Sequence, residues 1–183
     1  MAIFFTADTH FGHSNVIKYD KRPFADSAEM NEVLVRNWNK VVSPNDTVYH
    51  LGDLSLLRPE RTRDILDSLN GKICLIRGNH EKSAEHKLCV DRFEWIKDYF
   101  FLGLNGGIKI ALFHYAMRVW DRCHYGSWHF YGHSHGRLPS PENLFALDVG
   151  VDCWNYTPVS LFQIKDLMVS KGWSRKDKTT SAI

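Results

Sequence analysis

The sequence predicts an α/β fold, because strand and helix patterns alternate in the first half of the chain and strand patterns dominate the second half. The chain has 183 residues, of which 44% are hydrophobic and 24% charged, as is typical of one soluble globular domain. In the first half, three short apolar runs are separated by two helical patterns. This order indicates a βαβαβ unit with a largely parallel sheet and right-handed crossovers.

The elements of the first half are predicted from apolar spacing and end signals. Residues 2–7 form a continuous apolar run, typical of a strand that is buried on both faces. Helical spacing over residues 27–40 predicts a helix with Asp26 or Ser27 as its N-cap. Residues 47–51 and 72–76 are the next two predicted strands, and a second helix is predicted between them at residues 59–69.

The second half is predicted to be rich in strands. Residues 99–104 and 108–113 flank Asn105, Gly106 and Gly107, which predict a hairpin turn. Further strands are predicted at residues 127–131, 144–149 and 159–164. We expect one domain over residues 1–170, followed by a polar tail over residues 171–183.

Charge, hydropathy and cysteine spacing exclude several classes of function. A net charge of +2 argues against a strongly basic nucleic-acid platform, although a local basic patch is compatible with it. No apolar run approaches the length of a membrane span, and Asp8 and His10 interrupt the short apolar start, which is therefore no signal peptide. The four scattered cysteines fit neither a zinc site nor a disulfide framework, so we expect reduced thiols in a cytoplasmic protein.

Side chains that bind metal ions are concentrated in five short stretches, each after a predicted strand. The stretches are Asp8-Thr9-His10, Gly52-Asp53, Gly78-Asn79-His80, His114 and Gly132-His133-Ser134-His135. Functional loops gather at the carboxyl ends of strands in such sheets. Carboxylate and amide oxygens together with imidazole nitrogens suit divalent ions. The set therefore predicts two adjacent ions that share a bridging aspartate, a centre suited to attack on phosphate esters.

The ordered set carries this interpretation, because its members are weak evidence one by one. Chance alone gives about 0.8 matches to D-x-H and about 0.04 matches to G-N-H in a chain of this composition. Taken singly, Asp8, His10, Asp53 and Asn79 could instead cap helices or close turns. His114 follows an apolar strand and could instead be a hydrogen-bonded core histidine.

The ordered pattern D-x-H, G-D, G-N-H-[DE], H and G-H-x-H resembles that of the calcineurin-like metallophosphoesterase superfamily. The resemblance implies that the first metal is held by Asp8, His10 and His135. It implies that the second metal is held by Asn79, His114 and His133. Asp53 would bridge the two ions together with a water or hydroxide. His80 would contact the phosphate and protonate the leaving oxygen, and Glu81 would orient that imidazole.

Two further segments resemble a small uncapped branch of this superfamily found in bacteria and bacteriophages. They are T-A-D-T-H-F-G-H-S-N-V-I at residues 6–17 with Arg22-Pro23-Phe24, and D-V-G-V-D-C-W-N-Y-T-P-V at residues 148–159. The resemblance implies two mixed β-sheets packed face to face and flanked by helices. Near the first segment, His13, Asn15 and Arg22 are predicted to line the phosphate pocket, since a guanidinium suits phosphate oxygens. A surface loop held by Phe11 and Phe24 is the alternative.

Together these observations predict a dinuclear metal-dependent phosphoesterase with Asp53 and His80 as its catalytic residues. The oxygen and nitrogen ligand mix favours Mn, with Fe, Ni or Zn as alternatives. No long insertion is present to cover the cleft, which favours a phosphodiesterase acting on small nucleotide-like or cyclic-nucleotide substrates. The alternatives are a phosphomonoesterase or nuclease with the same site, or a non-catalytic metal-binding scaffold for a partner.

Three further histidines are expected outside the metal set. His50 is predicted to pack beneath the metal-bearing loop. His124 and His129 lie among aromatic residues that include Trp120 and Trp128. That stretch predicts either a core aromatic cluster or a surface that stacks on a nucleobase.

Overall fold

Two mixed β-sheets form the centre of the fold in the computed structural model, which describes residues 1–139 and 144–174. The strands are β1 (Ile3–Thr6), β2 (Thr47–His50), β3 (Lys72–Ile76), β4 (Phe93–Lys97), β5 (Tyr99–Gly103), β6 (Lys109–Phe113), β7 (Trp128–Tyr131), β8 (Ala146–Asp148) and β9 (Val159–Ser160). The first sheet has the order β4-β3-β2-β1-β9, and the second has the order β5-β6-β7-β8. Only the β1–β9 and β5–β6 pairs are antiparallel among these strands, so both sheets are mixed.

The two sheets pack face to face, as predicted. Phe5 of β1 meets Phe130 of β7 edge to face, with ring centroids 4.8 Å apart. Buried side chains from β2 and β3 join the same cluster as those of β6. The opposite face of the first sheet carries Val48 and Leu75, which pack in a cluster with Leu34 and Trp38 of a helix. Burial on both faces explains why the strands of the first sheet are continuous apolar runs.

Within the described residues, four α-helices flank the sheets: α1 (Ser14–Tyr19), α2 (Ser27–Val41), α3 (Pro59–Ser68) and α4 (Leu161–Ser170). Asp26 caps α2 as predicted, because its Oδ1 accepts hydrogen bonds from the amides of Ala28 at 2.8 Å and Glu29 at 2.9 Å. Met30, Leu34 and Trp38 bury one face of α2. The periodicity of those apolar residues is therefore the reason that this helix could be predicted.

The prediction of a strand over residues 159–164 is wrong beyond Ser160. The strand contains Val159 and Ser160, and α4 begins at Leu161. The Ser160 hydroxyl accepts a hydrogen bond from the amide of Gln163 at 3.2 Å, and Gln163 Oε1 accepts one from the amide of Ser160 at 3.0 Å. This reciprocal capping box satisfies amides of the first turn and fixes the start of the helix. The short helix α1 and the strand β4 were also not predicted.

The end of the described chain packs against the second sheet. The indole of Trp173 meets Trp128 edge to face with centroids 5.1 Å apart, and its Nε1 donates to the Gly126 carbonyl at 3.1 Å. The predicted polar tail lies, from residue 175 onward, outside the described residues. The single-domain boundary at residue 170 stays a prediction. In the described part of the chain, no helix is long and apolar enough to cross a membrane.

Parallel pairing brings the predicted functional loops to one edge of the molecule. β1, β2 and β3 run parallel, so the loops that carry Asp8, Asp53 and Asn79 leave the same edge of the first sheet. β6 and β7 also run parallel, so the loops with His114 and His133 leave one edge of the second sheet. Backbone hydrogen bonds join loops within this edge, for example from Asp8 N to the Gly52 carbonyl at 2.9 Å.

Candidate metal centre

The structure brings six of the predicted ligands together in two groups. Within each group, one ligand atom per residue lies within 4.8 Å of the others. The first group is Asp8, His10 and His135. The second group is Asp53, His114 and His133. The family pattern implied the same first group, and it implied Asn79, His114 and His133 for the second, with Asp53 between the two groups rather than in one of them.

Asp53 faces both groups with different carboxylate oxygens. Its Oδ2 lies 3.5 Å from His10 Nε2, and its Oδ1 lies 3.6 Å from His114 Nε2. The side-chain oxygen of Asn79 lies 3.1 Å from the same His114 nitrogen and so adjoins the second group. This placement suits a carboxylate that is shared by two ions.

In the second group, a ring nitrogen of His114 lies close to the side-chain oxygens of Asn79 and Asp53. His114 Nδ1 lies 2.7 Å from the Leu51 carbonyl, which can only accept a hydrogen bond, so Nδ1 carries the proton. Burial lowers the pKa of His114, so its Nε2 is left unprotonated. That nitrogen therefore directs a lone pair toward Asn79 Oδ1 and Asp53 Oδ1. Such a cluster of electron-pair donors is repulsive alone and is stabilised by a cation.

Burial of the first group also suits a cation. Burial raises the pKa of Asp8 well above its usual range, with nearby charges of Asp148 and Asp53 adding to the effect. Burial lowers the pKa of His10 to about 2, with further contributions from His135 and Arg22, so its imidazole is neutral. Neutral imidazole is the form that binds metal, and its buried Nδ1 has no hydrogen-bond partner among the described residues. The residues of both groups therefore fit divalent ions.

Five of the predicted ligands have left-handed backbone conformations, which non-glycine residues rarely adopt. They are Asp8 (φ 56°), His10 (φ 49°), Asp53 (φ 57°), His133 (φ 64°) and His135 (φ 48°). Each loop thus turns sharply at the ligand itself, which lets side chains from separate strands converge. Backbone strain of this kind concentrates at functional sites, where the surrounding structure holds it in place.

Glycine allows the loops to approach each other closely. Gly52 has a φ of 94°, and a β-carbon there would lie 2.6 Å from His114 Nδ1 and 2.7 Å from the Gly78 backbone. The loops after β2, β3 and β6 therefore meet where a side chain would not fit. This explains why glycine precedes Asp53 in the sequence.

Backbone amides and Glu81 hold the carboxylates in place. The His133 amide donates to both oxygens of Asp8, at 3.0 and 2.8 Å, and the His80 amide donates to Asp53 Oδ1 at 3.0 Å. Buried Glu81 accepts hydrogen bonds from the amides of Asp53, Leu54 and Gly78. Burial and the charge of Asp53 raise the pKa of Glu81 to about 7. Glu81 therefore joins the loops through backbone amides. This role differs from the predicted one, in which Glu81 orients the His80 ring.

The residues predicted to meet substrate lie in three different environments. The ring of His80 is exposed, and its centroid lies 5.7 Å from that of His10. The ring of His13 lies 5.3 Å from that of His10, and Asn15 is exposed in the first turn of α1. The side chain of Arg22 is fully buried and donates to Asp152 and to the Asp8 carbonyl. This position behind the ligands does not favour contact between Arg22 and a substrate phosphate.

Sequence reasoning assigned no role to two aspartates that support the G-H-x-H loop. Asp148 Oδ2 accepts hydrogen bonds from Ser134 Oγ at 2.6 Å and from the Gly136 amide at 2.9 Å. Asp152 Oδ2 lies 2.7 Å from His135 Nδ1. Both belong to the D-V-G-V-D segment that marks the family branch, and that motif was the available signal.

The remaining histidines have structural surroundings. Buried His50 donates from Nε2 to the Thr9 hydroxyl at 3.0 Å, and burial lowers its pKa to about 3. It therefore packs beneath a metal-bearing loop, as predicted, and that loop is the one with Asp8 and His10. His129 is buried, with Nδ1 3.0 Å from the Ala111 carbonyl and Nε2 3.0 Å from the Met117 amide. For His129, the core alternative is therefore confirmed and nucleobase stacking is excluded.

Two sheets packed face to face, with paired metal-ligand groups at one edge, are the features of a metal-dependent phosphoester hydrolase. The calcineurin-like phosphoesterase superfamily domain matches residues 1–149, and the chain belongs to that superfamily.

Similar proteins match this chain over most of its length. A Methanocaldococcus jannaschii protein, described as uncharacterized, is 37% identical over 178 residues, which cover 93% of this chain and 92% of that protein. The gene 66 protein of Mycobacterium phage L5 is 26% identical over 196 residues, which cover 90% of this chain and 92% of that protein. The solved structure of a protein of unknown function from Aquifex aeolicus has a TM-score of 0.69 at 24% identity, covers 91% of this chain and 98% of that one, and shows the same fold.

Proposed function

We propose that this protein is a dinuclear metal-dependent phosphodiesterase that hydrolyses small nucleotide-like phosphodiesters, including cyclic nucleotides. The observation that carries the proposal is the position of His114 Nε2, which lies 3.1 Å from Asn79 Oδ1 and 3.6 Å from Asp53 Oδ1. The other oxygen of Asp53 faces His10 of the first group. A shared carboxylate between two donor groups supports two ions rather than one.

Seven side chains would hold the two ions. They are Asp8, His10 and His135 on one side, Asn79, His114 and His133 on the other, and Asp53 between them. Two divalent ions in such a centre supply positive charge for phosphate oxygens and lower the pKa of a coordinated water. The mixture of oxygen and nitrogen ligands favours Mn²⁺ over Mg²⁺, with Fe²⁺, Ni²⁺ and Zn²⁺ as alternatives.

His80 is proposed to donate a proton to the leaving oxygen. Its ring is exposed next to His10 and His13, where an incoming ester can reach it. Its amide is bonded to Asp53 Oδ1 at 3.0 Å, which ties its position to the shared carboxylate. Proton donation neutralises the alkoxide as the bond to phosphorus breaks, and general acid catalysis contributes roughly 10²–10⁴-fold.

The surroundings of the second group favour a diester that carries a flat group. Asn79 and His133 are exposed, so a substrate with two substituents on phosphorus can approach from solvent. Tyr115 is 39% exposed, and its ring centroid lies 4.7 Å from that of His133. An exposed aromatic ring at this distance offers a surface on which a base can stack. The net charge of +2 argues against long duplex DNA as the main substrate.

A cytoplasmic location is part of the proposal. The supporting observation is that Cys74, Cys89, Cys123 and Cys153 are all free thiols. Free thiols persist in a reducing compartment.

Hydrolysis of chromogenic esters tests the proposed activity. The protein is treated with a chelator, reloaded with Mn²⁺, Zn²⁺, Ni²⁺, Fe²⁺ or Mg²⁺ separately, and assayed with bis-p-nitrophenyl phosphate and p-nitrophenyl phosphate. We expect no turnover without metal, highest turnover with Mn²⁺, and a higher kcat/KM for the diester. A panel of cyclic nucleotides then identifies the preferred base.

Asp53→Asn should abolish turnover, because the amide lacks the charge that the shared carboxylate supplies. Asp91→Asn is the matched control, since Asp91 is an exposed aspartate paired with Arg63. A faster reaction with the monoester would contradict the diesterase assignment. Absence of turnover of both esters with every metal would contradict the enzymatic function and favour the scaffold.

A further inference from the structure

A buried arginine–aspartate pair connects the α1–α2 region to the candidate metal centre. Arg22 follows α1, and Asp152 lies in the 3₁₀ turn Val151–Cys153. Arg22 donates from Nε to Asp152 Oδ1 at 2.8 Å and from Nη2 to Asp152 Oδ2 at 2.7 Å. Two parallel hydrogen bonds of this kind fix both planes relative to each other, which a lysine could not do. The side chains of Arg22 and Asp152 are 0% and 9% exposed.

The same pair contacts two residues of the first donor group, His135 and Asp8. Asp152 Oδ2 lies 2.7 Å from His135 Nδ1, closer than Asp20 Oδ2 at 3.3 Å, and a carboxylate can only accept that hydrogen bond. A neutral His135 that donates from Nδ1 carries its lone pair on Nε2, the nitrogen left for an ion. Arg22 Nη2 also donates to the Asp8 carbonyl at 2.8 Å, and Nη1 donates to the Thr9 carbonyl at 3.3 Å. The pair thus holds both the imidazole of His135 and the backbone of Asp8.

The second donor group has a different support. His114 is oriented by the Leu51 carbonyl, and Asp53 is held by Glu81 and by the His80 amide. These contacts involve neither Arg22 nor Asp152. A change in the buried pair should therefore affect one group of ligands and spare the other.

We propose that Arg22 and Asp152 are positioning residues that fix the tautomer of His135 and the Asp8 backbone, and so set the affinity of the first metal site selectively. This inference rests on the proposed dinuclear centre. It replaces the predicted contact of Arg22 with a substrate phosphate. Asp152 also lies beyond residues 1–149, so it extends the functional site past the part of the chain that matches the family domain.

Calorimetric titration of the metal-free full-length protein with Mn²⁺ tests the inference. We expect the wild type to bind two ions. In Asp152→Asn, the affinity for one ion should fall by about 10–100-fold, as it does when a carboxylate behind a metal-bound histidine is lost. The affinity for the other ion should stay unchanged. Arg22→Lys should lower the affinity for the same ion. Asp91→Asn, in an exposed pair on another surface, should change neither.

The melting temperature of the metal-free protein separates positioning from folding. Asp152→Asn leaves the charge of buried Arg22 uncompensated, which lowers the stability of the fold. The double variant Arg22→Gln/Asp152→Asn avoids this effect, because it removes both charges. The double variant should fold and still bind one ion weakly.

Three results would overturn the inference. The first is that Asp152→Asn keeps wild-type affinity for both ions, and the second is that it loses affinity for both ions equally. The third is that Arg22→Lys raises the KM for bis-p-nitrophenyl phosphate while its Mn²⁺ affinity stays unchanged. A wild-type protein that binds no Mn²⁺ would instead contradict the proposed function itself.

Discussion

The candidate ligand residues could be selected from the sequence by type and order, whereas their backbone conformations could not. Asp8, Asp53 and His133 each follow an apolar run and carry a metal-binding side chain, which is the signal that identifies them. Their left-handed φ values depend on loops that are distant in the sequence, such as the contact from the His133 amide to Asp8. For Arg22, the sequence predicts contact with substrate, because a guanidinium suits phosphate. Its burial against Asp152, 130 positions away, has no local sequence signal.

His80→Ala should reduce turnover without loss of metal. We expect kcat for an unactivated alkyl phosphodiester to fall roughly 10²–10⁴-fold, because the leaving alkoxide then departs without a proton. For bis-p-nitrophenyl phosphate the loss should be smaller, since p-nitrophenolate needs less protonation. Steady-state kinetics with both esters, together with metal analysis, measure the effect.

The matched control is His124→Ala, since His124 is exposed in the 3₁₀ turn Cys123–Tyr125 and belongs to neither donor group. It should keep wild-type turnover. Wild-type kcat of His80→Ala on the alkyl ester would remove His80 from the role of proton donor.

At the scale of elements, prediction succeeded where one local signal dominated. The apolar runs of β1, β2 and β3 and the periodic apolar residues of α2 each identify their own element. The segment from Val159 to Ile164 carries competing signals, because its apolar residues suit a strand while Ser160 and Gln163 form a capping box. The cap determined the outcome, since it satisfies amides that a helix start would otherwise leave unpaired.

Ser160→Ala should therefore destabilise the protein through α4. We expect the free energy of unfolding to fall by about 1 kcal/mol, the typical cost of removing an N-cap hydroxyl. Urea denaturation of the metal-free protein measures this change. Ser170→Ala, at the other end of the same helix, is the control and should stay within about 0.5 kcal/mol of wild type. Equal effects of the two substitutions would argue against the cap.

At the scale of the whole molecule, the order of the functional loops could be predicted, but the pairing of strands from distant parts of the chain could not. Parallel β1, β2 and β3 follow from the βαβαβ pattern. The antiparallel pairing of β9 with β1 joins residues from opposite ends of the chain, and no local pattern specifies it. The family resemblance supplied the two-sheet arrangement that periodicity alone did not.

Buried neutral histidines should make the whole fold sensitive to acid. Burial lowers the pKa of His129, so below about pH 6.5 the unfolded chain binds a proton there that the folded chain does not. The free energy of unfolding should therefore fall as pH decreases below 6.5, by up to about 1.4 kcal/mol per pH unit for this group. Urea denaturation of the metal-free protein between pH 7.5 and 5 measures the slope.

His129→Gln should show a shallower slope, because it removes this proton uptake from the unfolded chain. His124→Gln, at an exposed position, is the matched control and should keep the wild-type slope. An unchanged slope in His129→Gln would show that acid sensitivity arises from other groups.

The most direct test of the dinuclear centre is anomalous diffraction from crystals grown with Mn²⁺, collected on both sides of the manganese absorption edge. We predict two manganese peaks per chain, one among Asp8, His10 and His135 and one among Asn79, His114 and His133, with Asp53 coordinated to both. A single peak, or two peaks that do not share Asp53, would contradict the account.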